Sequence, residues 1–386
     1  MVSLIFIWTV IIYIFILQYT PLSFFQLYRL TVISIHKNQR LDAVELVRVE
    51  RQVITLLVTN GANPGSASKI IAQIKSYGLE FNRTFVIKEE YDKFEYGCEE
   101  IVVPESYSTR NGSMTKERAM QYAIEYLESQ QLVNDRTFLL HLDDDSVVDR
   151  EYISFILNMP YDAGQGSIRL KNYGQHLFST LADMIRPVDC DIYCDYFNTK
   201  GRPKAVHGEG LVIRSDIEFK IGWDYATYCG EDFLMGQKIL ASGFKFGRIP
   251  YNIYIAPPLN TKDFYKQRRR WMYGMLWSLD LLPNKKMTAF LLYRYIIGWS
   301  GFIGVFMFLF GILARLSLNP FFVVLGSINL FSYFLIYQKG VLDTDKKYIP
   351  LMLVLQIPVA IYEGGTFLYS AIRKPDRTKF EVIRKP

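Results

Sequence analysis

The chain has 386 residues, of which 50% are hydrophobic and 21% are charged, and its formal net charge is +6. This length is enough for one sizeable domain together with several apolar segments. The basic residues flank those segments and no aromatic-plus-basic recognition motif accompanies them, so we expect no nucleic-acid binding.

Four segments are nearly free of charged residues, and each is long enough, at about 18–25 residues, to cross a bilayer as a helix. They are Val2–Phe25, Tyr295–Ala314, Pro320–Tyr337 and Tyr348–Ala371. The first lacks a preceding basic residue and a small-x-small cleavage site, so we interpret it as a retained anchor and not as a signal peptide. The sequence therefore predicts an N-terminal transmembrane helix (1–30), a polar domain (40–260), amphipathic interface helices (261–287), a C-terminal transmembrane region of two to three helices (288–372) and a basic tail (373–386).

The charges beside these segments predict how the chain crosses the membrane. Basic residues flank the polar domain on both sides, so the positive-inside rule places it in the cytoplasm as part of a multi-pass integral membrane protein. The basic tail also favours the cytoplasm, whereas three full crossings after the domain would place it outside. One segment is then re-entrant or interfacial, and we expect it to be Tyr348–Ala371, which contains Glu363-Gly364-Gly365.

Within the polar domain, short apolar runs alternate with helical patterns. Strands are predicted at Val53–Thr59, Thr84–Ile87, Ile101–Val103 and Thr137–Leu142, and helices near Ser66, over Lys116–Ser129 and from about Arg150. This rhythm is typical of a doubly wound α/β sheet. Such sheets bind ligands at the carboxyl ends of their strands.

Three consecutive aspartates, Asp143, Asp144 and Asp145, directly follow the fourth predicted strand. Like charges this close resist ionising together. A helix-capping role for Asp145 or Asp149 would explain one of them. A divalent cation, Mg²⁺ or Mn²⁺, explains the crowding because it takes hard oxygen ligands and supplies the opposite charge.

Two later motifs add to this site. Gly230-Glu231-Asp232 begins the helical pattern Asp232–Ala241, where an acid can be a helix N-terminal residue or a catalytic base. Gln267-Arg268-Arg269-Arg270-Trp271 opens an amphipathic stretch before the second apolar segment. Its arginines fit either a membrane-surface patch or fork-shaped donors to a diphosphate.

The order Asp-x-Asp, Glu-Asp and Gln-x-x-Arg-Trp beside membrane helices resembles the family 2 glycosyltransferases, which include cellulose and hyaluronan synthases. Over about residues 100–277 the likeness is to the Egghead-type β-1,4-mannosyltransferases, which transfer mannose from GDP-mannose to a glucosylated lipid. It rests on the segments IVVPESY, KERAMQYAIEYL, HLDDDS, GQGSIRL, LADMIRP and QRRRWMYGML. The chain departs from those relatives at Asp144 and Asp145, where they have Glu, and at His207-Gly208-Glu209-Gly210.

This resemblance implies a GT-A fold (a Rossmann-like nucleotide-diphospho-sugar transferase) and roles for particular residues. Asp145 coordinates the metal, Asp143 binds the metal or the ribose, and Asp144 supports the donor site through hydrogen bonds. Asp232 is the general base of an inverting transfer that gives a β-linked product.

The remaining assignments concern the two substrates. The nucleotide lies near Thr59 and Asn60 with Glu89 or Glu90, and Arg270 contacts the diphosphate with Gln267 beside it. Gln267 also shapes the acceptor end, where the acceptor-binding residues are Glu231, Trp271, His207 and Gly208. His207 has three alternatives: a third metal ligand, an acceptor contact or a structural histidine.

Several functions remain open. A single transfer from GDP-mannose to a lipid-linked or glycolipid acceptor is favoured over a processive polysaccharide synthase that uses a UDP-sugar, since four apolar segments are few for a polymer channel. A dolichyl-phosphate sugar synthase usually lacks Gln-x-x-Arg-Trp. A non-catalytic membrane scaffold has no reason to keep paired acids at strand ends.

Four cysteines, Cys98, Cys190, Cys194 and Cys229, fall in the domain assigned to the cytoplasm, so we expect reduced thiols. Cys190 and Cys194 have no second pair at metal-site spacing, and the sequence therefore gives little reason to expect zinc.

Overall fold

The computed structural model describes residues 2–35, 51–204, 206–294, 299–377, 381 and 383. Its strands are β1 Gln52–Val58, β2 Asn82–Glu89, β3 Glu99–Val103, β4 Thr137–Asp143, β5 Val147–Val148, β6 Ala163–Leu170, β7 Leu211–Arg214 and β8 Phe246–Ile255. Its helices are α1 Val2–Ile35, α2 Pro64–Ser76, α3 Thr115–Ser129, α4 Arg150–Ile156, α5 Leu177–Asp183, α6 Ile185–Asp189, α7 Asp195–Thr199, α8 Ser215–Ile221, α9 Glu231–Ala241, α10 Thr261–Trp277, α11 Lys285–Leu292, α12 Trp299–Leu313, α13 Pro320–Thr344 and α14 Ile349–Ile372. A π-helical turn, Cys190–Cys194, joins α6 to α7.

The eight strands form one sheet in the order β3-β2-β1-β4-β7-β6-β8-β5. Strands β1 to β4 are parallel, whereas β7 runs antiparallel to both of its neighbours and β5 runs antiparallel to β8. The four strands and the helices predicted in this half are confirmed to within two residues. The expectation of a doubly wound sheet holds for the parallel half, and the antiparallel strands make the whole sheet mixed.

Both faces of strand β1 are buried, which explains its nearly continuous apolar sequence. Val53 and Leu57 pack on one side with helix α2, while Ile54 and Leu56 pack on the other side with helix α3. Two apolar layers therefore fix the strand, and its carboxyl end is held in a defined position beside that of β4.

Within the described residues, three helical segments are long and apolar enough to cross a membrane: Ile5–Ile35, Pro320–Thr344 and Lys346–Ile372. A shorter apolar helix covers Gly301–Leu313, and the predicted start of this segment at residues 295–298 lies outside the described residues. Helix α14 continues without a break through Glu363-Gly364-Gly365, so the turn expected of a re-entrant segment is not found there. The sidedness of the tail stays a prediction, since most of residues 378–386 lie outside the described part.

The C-terminal helices pack directly on the domain. Tyr337 and Val341 of α13 and Met352 and Val359 of α14 belong to the same apolar cluster as residues of the sheet. At Gly340 an added Cβ would lie 2.2 Å from the carbonyl oxygen of Met184, so only glycine allows this approach of α13 to the domain. The bilayer-sized helices and the α/β domain are therefore in close contact.

Candidate active site

The carboxyl ends of β1 and β4 bring the predicted donor residues together. The two strands are parallel, and Val58 is paired with Asp143. Beyond this pair, the Thr59 hydroxyl donates to Asp144 Oδ2 at 3.1 Å and accepts from the Gly61 N–H. Asp144 is therefore held by hydrogen bonding beside the turn that follows β1, where the resemblance places the nucleotide.

Asp143 and Asp145 lie on either side of Asp144. Asp143 Oδ1 is 2.5 Å from the ammonium nitrogen of Lys116, at the start of helix α3. The residue Asp145 is only 5% exposed. Carboxylate oxygens are hard donors of the kind that Mg²⁺ and Mn²⁺ take, and metal binding by Asp143 and Asp145 stays a prediction.

Lys116 is a site residue that the sequence did not single out. Its ammonium nitrogen also lies 3.9 Å from Glu231 Oε1, so one cation connects the end of β4 with the start of α9. Burial opposes the charge of Lys116, but Asp143 and Glu231 together outweigh burial and raise the pKa of its ammonium group. The only sequence signal was its place in the segment KERAMQYAIEYL.

Asp232 lies in the first turn of helix α9, next to Glu231. Burial, followed by repulsion from Glu231, raises the pKa of the Asp232 carboxyl to about 7, while Lys116 and the Phe233 N–H act in the opposite direction. A carboxylate with a pKa near neutrality can accept a proton and release it again, as a general base must.

The loop before β7 approaches these acids through Gly208. A Cβ at this position would be 2.7 Å from Lys116 Nζ and 3.5 Å from Asp232 Oδ2, so a side chain here would press into the site. A small cavity at this point is lined by Lys116, Met120, His141, Gly208, Leu211, Trp223, Glu231 and Asp232. Gly208, Glu231 and Asp232, which the sequence placed at the acceptor and the base, are thus brought together.

His207 precedes Gly208, and its ring contacts two other residues. Its Nδ1 lies 3.1 Å from the carbonyl oxygen of Glu209, and its Nε2 lies 3.7 Å from Cys190 Sγ. An acceptor-binding role for His207 stays a prediction.

An acid that the sequence analysis did not single out, Asp92, lies at the predicted nucleotide end. The carboxylate of Glu89, predicted to contact the base, is held by Arg118 at 2.5 Å. Asp92, farther along the chain, lies beside the turn after β1, since a Cβ at Gly61 would be 3.0 Å from its carboxyl carbon. The side chain of Asn60 is used locally, its oxygen accepting from the Ala62 N–H.

Helix α10 carries Gln-x-x-Arg-Trp, and its first arginines are held by ion pairs. Arg268 is 3% exposed and binds Asp183 at 2.6 Å, while Gln267 Oε1 accepts from Arg268. Arg269 pairs with Glu381 of the tail. These partners do not suit a membrane-surface patch, in which both arginines would face lipid headgroups.

Arg270 and Trp271 complete the motif. Arg270 donates to the backbone carbonyl of Glu381 at 3.0 Å. The indole of Trp271 contacts the guanidinium groups of Arg186 and Arg268, whose carbons are 4.8 and 4.6 Å from the ring centroid. The residues of the motif are therefore fixed in position by contacts on several sides.

Cys229, in the loop before helix α9, contacts helix α10. Burial and then Glu231 raise the pKa of the Cys229 thiol, whereas Arg270 opposes them. A Cβ at Gly274, one helical turn after Arg270, would lie 2.7 Å from the Cβ of Cys229. Helix α10 thus packs against the loop that leads into Glu231 and Asp232 at the start of helix α9.

The family described as glycosyl transferase family group 2 matches residues 138–361, which is more than half of the chain and includes all three motifs. The chain belongs to this family. The resemblance stated from the sequence is confirmed, and the protein is a family 2 glycosyltransferase.

Two curated relatives of this glycosyltransferase are β-1,4-mannosyltransferases. The egh protein of Drosophila melanogaster is 30% identical over 205 residues, covering 50% of this chain and 42% of the relative. The bre-3 protein of Caenorhabditis elegans is 26% identical over 214 residues, covering 51% of this chain and 46% of the relative. The match thus spans less than half the length of either relative.

A solved structure supports the fold. The mannosyltransferase PcManGT from Pyrobaculum calidifontis, in complex with GDP-Man and Mn²⁺, superposes with a TM-score of 0.55 and covers 94% of this chain and 100% of that chain. Its sequence is only 12% identical, so the likeness concerns the fold. The predicted GT-A fold with associated apolar helices is confirmed for this glycosyltransferase.

Proposed function

We propose that this glycosyltransferase transfers mannose from GDP-mannose, with inversion, to a hydroxyl group of a lipid-linked or glycolipid acceptor. The observation that carries the proposal is the placement of Asp232 beside Gly208 and Lys116, whose ammonium group also pairs with Asp143 at the end of β4. Two curated mannosyltransferase relatives and the fold of a GDP-mannose-bound neighbour support mannose as the sugar.

Asp232 is the general base of the proposed reaction. Its carboxylate takes the proton from the acceptor hydroxyl, whose oxygen attacks the anomeric carbon from the face opposite the diphosphate. The bond between that carbon and the diphosphate breaks, and GDP leaves with the electron pair. Attack from the opposite face inverts the configuration, so an α-linked donor gives a β-linked product.

The departing diphosphate gains negative charge, and this chain supplies groups to stabilise it. Arg270 offers planar donors suited to phosphate oxygens. Asp143 and Asp145 would hold a divalent cation, which when bound neutralises charge on the diphosphate. Thr59 and Asp144 form the wall at the nucleotide end.

The acceptor is proposed to be a membrane lipid because the site borders the bilayer-sized helices. Arg268 of helix α10 lies 3.9 Å from Glu363 of α14, and the Tyr265 hydroxyl donates to the Tyr362 carbonyl at 3.1 Å. A hydroxyl at the bilayer surface could thus reach Asp232 near helix α10. We further propose a multi-pass protein with its catalytic domain in the cytoplasm, on the basis of the basic flanks.

A donor assay tests the proposed function. We expect purified full-length protein in detergent with Mn²⁺ to consume labelled GDP-mannose and to label extracted membrane lipids, while UDP-glucose and UDP-N-acetylglucosamine remain intact. Consumption of a UDP-sugar alone would overturn the mannosyltransferase proposal and favour a polysaccharide synthase. No consumption of any donor, with Mg²⁺ or Mn²⁺, would favour a scaffold.

The pKa of Asp232 predicts the pH dependence of transfer. A general base acts when ionised, so we expect kcat/KM to rise about tenfold per pH unit below pH 7 and to level off above it. The measurement is the initial rate of lipid mannosylation from about pH 5 to about pH 9 at subsaturating acceptor. A profile with its midpoint near pH 4, the range of an unperturbed Asp carboxyl, would contradict the assignment.

A further inference from the structure

Three metal-ligating side chains form a cluster apart from the aspartates. Cys190, Cys194 and His207 each present one ligand atom, and all three atoms lie within 4.8 Å of one another. The two cysteines alone were a weak pattern in the sequence. The fold adds His207 from a different segment, which gives a set of two sulfurs and one nitrogen.

The surrounding backbone holds the three side chains in place. The cysteines are four residues apart on one π-helical turn, so their thiols project from the same side. The N–H of Ile168 donates to Cys190 Sγ at 3.4 Å. The side chain of Gln165 accepts from the N–H of His207 at 3.2 Å and donates to its carbonyl oxygen, which fixes the histidine backbone.

The orientation of the His207 ring favours a metal ligand. Nδ1 lies 3.1 Å from the carbonyl oxygen of Glu209, and a carbonyl can only accept, so Nδ1 carries the proton. In the neutral ring Nε2 then directs its lone pair towards Cys190 Sγ. Metal-binding histidines commonly donate their other N–H to a carbonyl or carboxylate in this way.

The distance between two of the ligand atoms also agrees with tetrahedral coordination of a zinc ion. Zinc lies about 2.3 Å from cysteine sulfur and about 2.0 Å from histidine nitrogen, which places two such ligands roughly 3.5 Å apart. The distance between Cys190 Sγ and His207 Nε2 is 3.7 Å. Only a small adjustment would bring both atoms to bonding distance.

We propose that Cys190, Cys194 and His207 bind one transition-metal ion of the zinc class. Thiolate and imidazole ligands favour zinc, whereas the carboxylates of Asp143 and Asp145 suit Mg²⁺ or Mn²⁺, so the two sites select different ions. Three protein ligands leave the fourth position to a water molecule or another oxygen donor. The ion joins the π-helical turn to the loop that carries Gly208 and thereby holds that loop against Asp232 and Lys116.

Metal analysis of the full-length protein tests the proposal without an activity measurement. We expect detergent-purified protein to retain about one zinc ion per chain after gel filtration, and Cys190→Ser and Cys194→Ser to lose most of it. Cys98→Ser is the matched control, since this cysteine lies outside the cluster. Asp145→Asn is expected to keep its zinc, which separates this ion from the one at the aspartates.

A second measurement covers the case in which the serine variants fail to fold. Replacement of zinc by Co²⁺ in the unaltered chain is expected to give the near-ultraviolet charge-transfer absorption of cobalt-bound thiolates. Absence of both zinc and this absorption would overturn the proposal. A Cys190–Cys194 disulfide in protein purified without reductant, or equal zinc in Cys190→Ser and wild type, would also overturn it.

Discussion

Asp232→Asn is expected to lower turnover by about 10²–10⁴-fold, because an amide cannot take the proton from the acceptor hydroxyl. Binding of GDP-mannose should change little, since Asp232 acts on the acceptor. Single-turnover transfer and equilibrium binding of GDP, measured on the same preparation, separate the two effects.

Thermal unfolding distinguishes lost catalysis from a damaged fold. Folding raises the pKa of Asp232 to about 7 from its ordinary value of 3.8, so its protonated form stabilises the protein. This stabilisation is complete below pH 3.8 and is lost as the pH rises through 7. Above pH 7 the neutral Asp232→Asn variant should thus be at least as stable as wild type. A lower Tm, or an equal loss of turnover in the exposed control Asp135→Asn, would argue against a catalytic role.

Asp145→Asn is expected to weaken Mn²⁺-dependent GDP binding by at least about 100-fold, because an amide oxygen is a poor substitute for a carboxylate ligand. The measurement is calorimetric titration of GDP with Mn²⁺ and again with a chelator. Wild type should lose affinity on chelation, whereas the variant should bind weakly in both conditions.

The matched control for this prediction is Asp144→Asn. An asparagine oxygen can still accept the hydrogen bond that Thr59 donates to Asp144, so this variant should keep most of its metal-dependent affinity. Equal losses in the two variants would contradict the separate roles assigned to Asp144 and Asp145.

The parallel half of the fold and the position of the acids were predictable because both depend on local sequence. Strand β4 is an apolar run that leads directly into Asp143, and parallel strands end at one edge of a sheet. The first turn of α9, with Glu231 and Asp232, was equally visible as the start of a helical pattern.

Residues placed by distant contacts were not predictable in this way. Lys116 is 27 residues from Asp143 in the sequence, and no local pattern shows that its ammonium group neutralises this acid. Asp92 lies beyond the predicted end of its strand, yet the chain turns it back towards Gly61. His207 meets Cys190 across the fold, where the side chain of Gln165 in β6 binds the His207 backbone.

The sequence did not predict the antiparallel half of the sheet, because this half also depends on contacts between distant segments. Strand β7 has only four residues, Leu211–Arg214, and its direction depends on pairing with β4 and β6. A run this short carries no directional signal in its own sequence.

Helices α13 and α14 share one apolar cluster with the sheet, so the α/β domain and these helices do not have separate cores. Phe138 of β4 belongs to the same cluster as Met352 and Val359. Removing the helices would expose a contiguous apolar face, a surface that promotes aggregation in water. We therefore expect the α/β domain, expressed without helices α13 and α14, to aggregate in water.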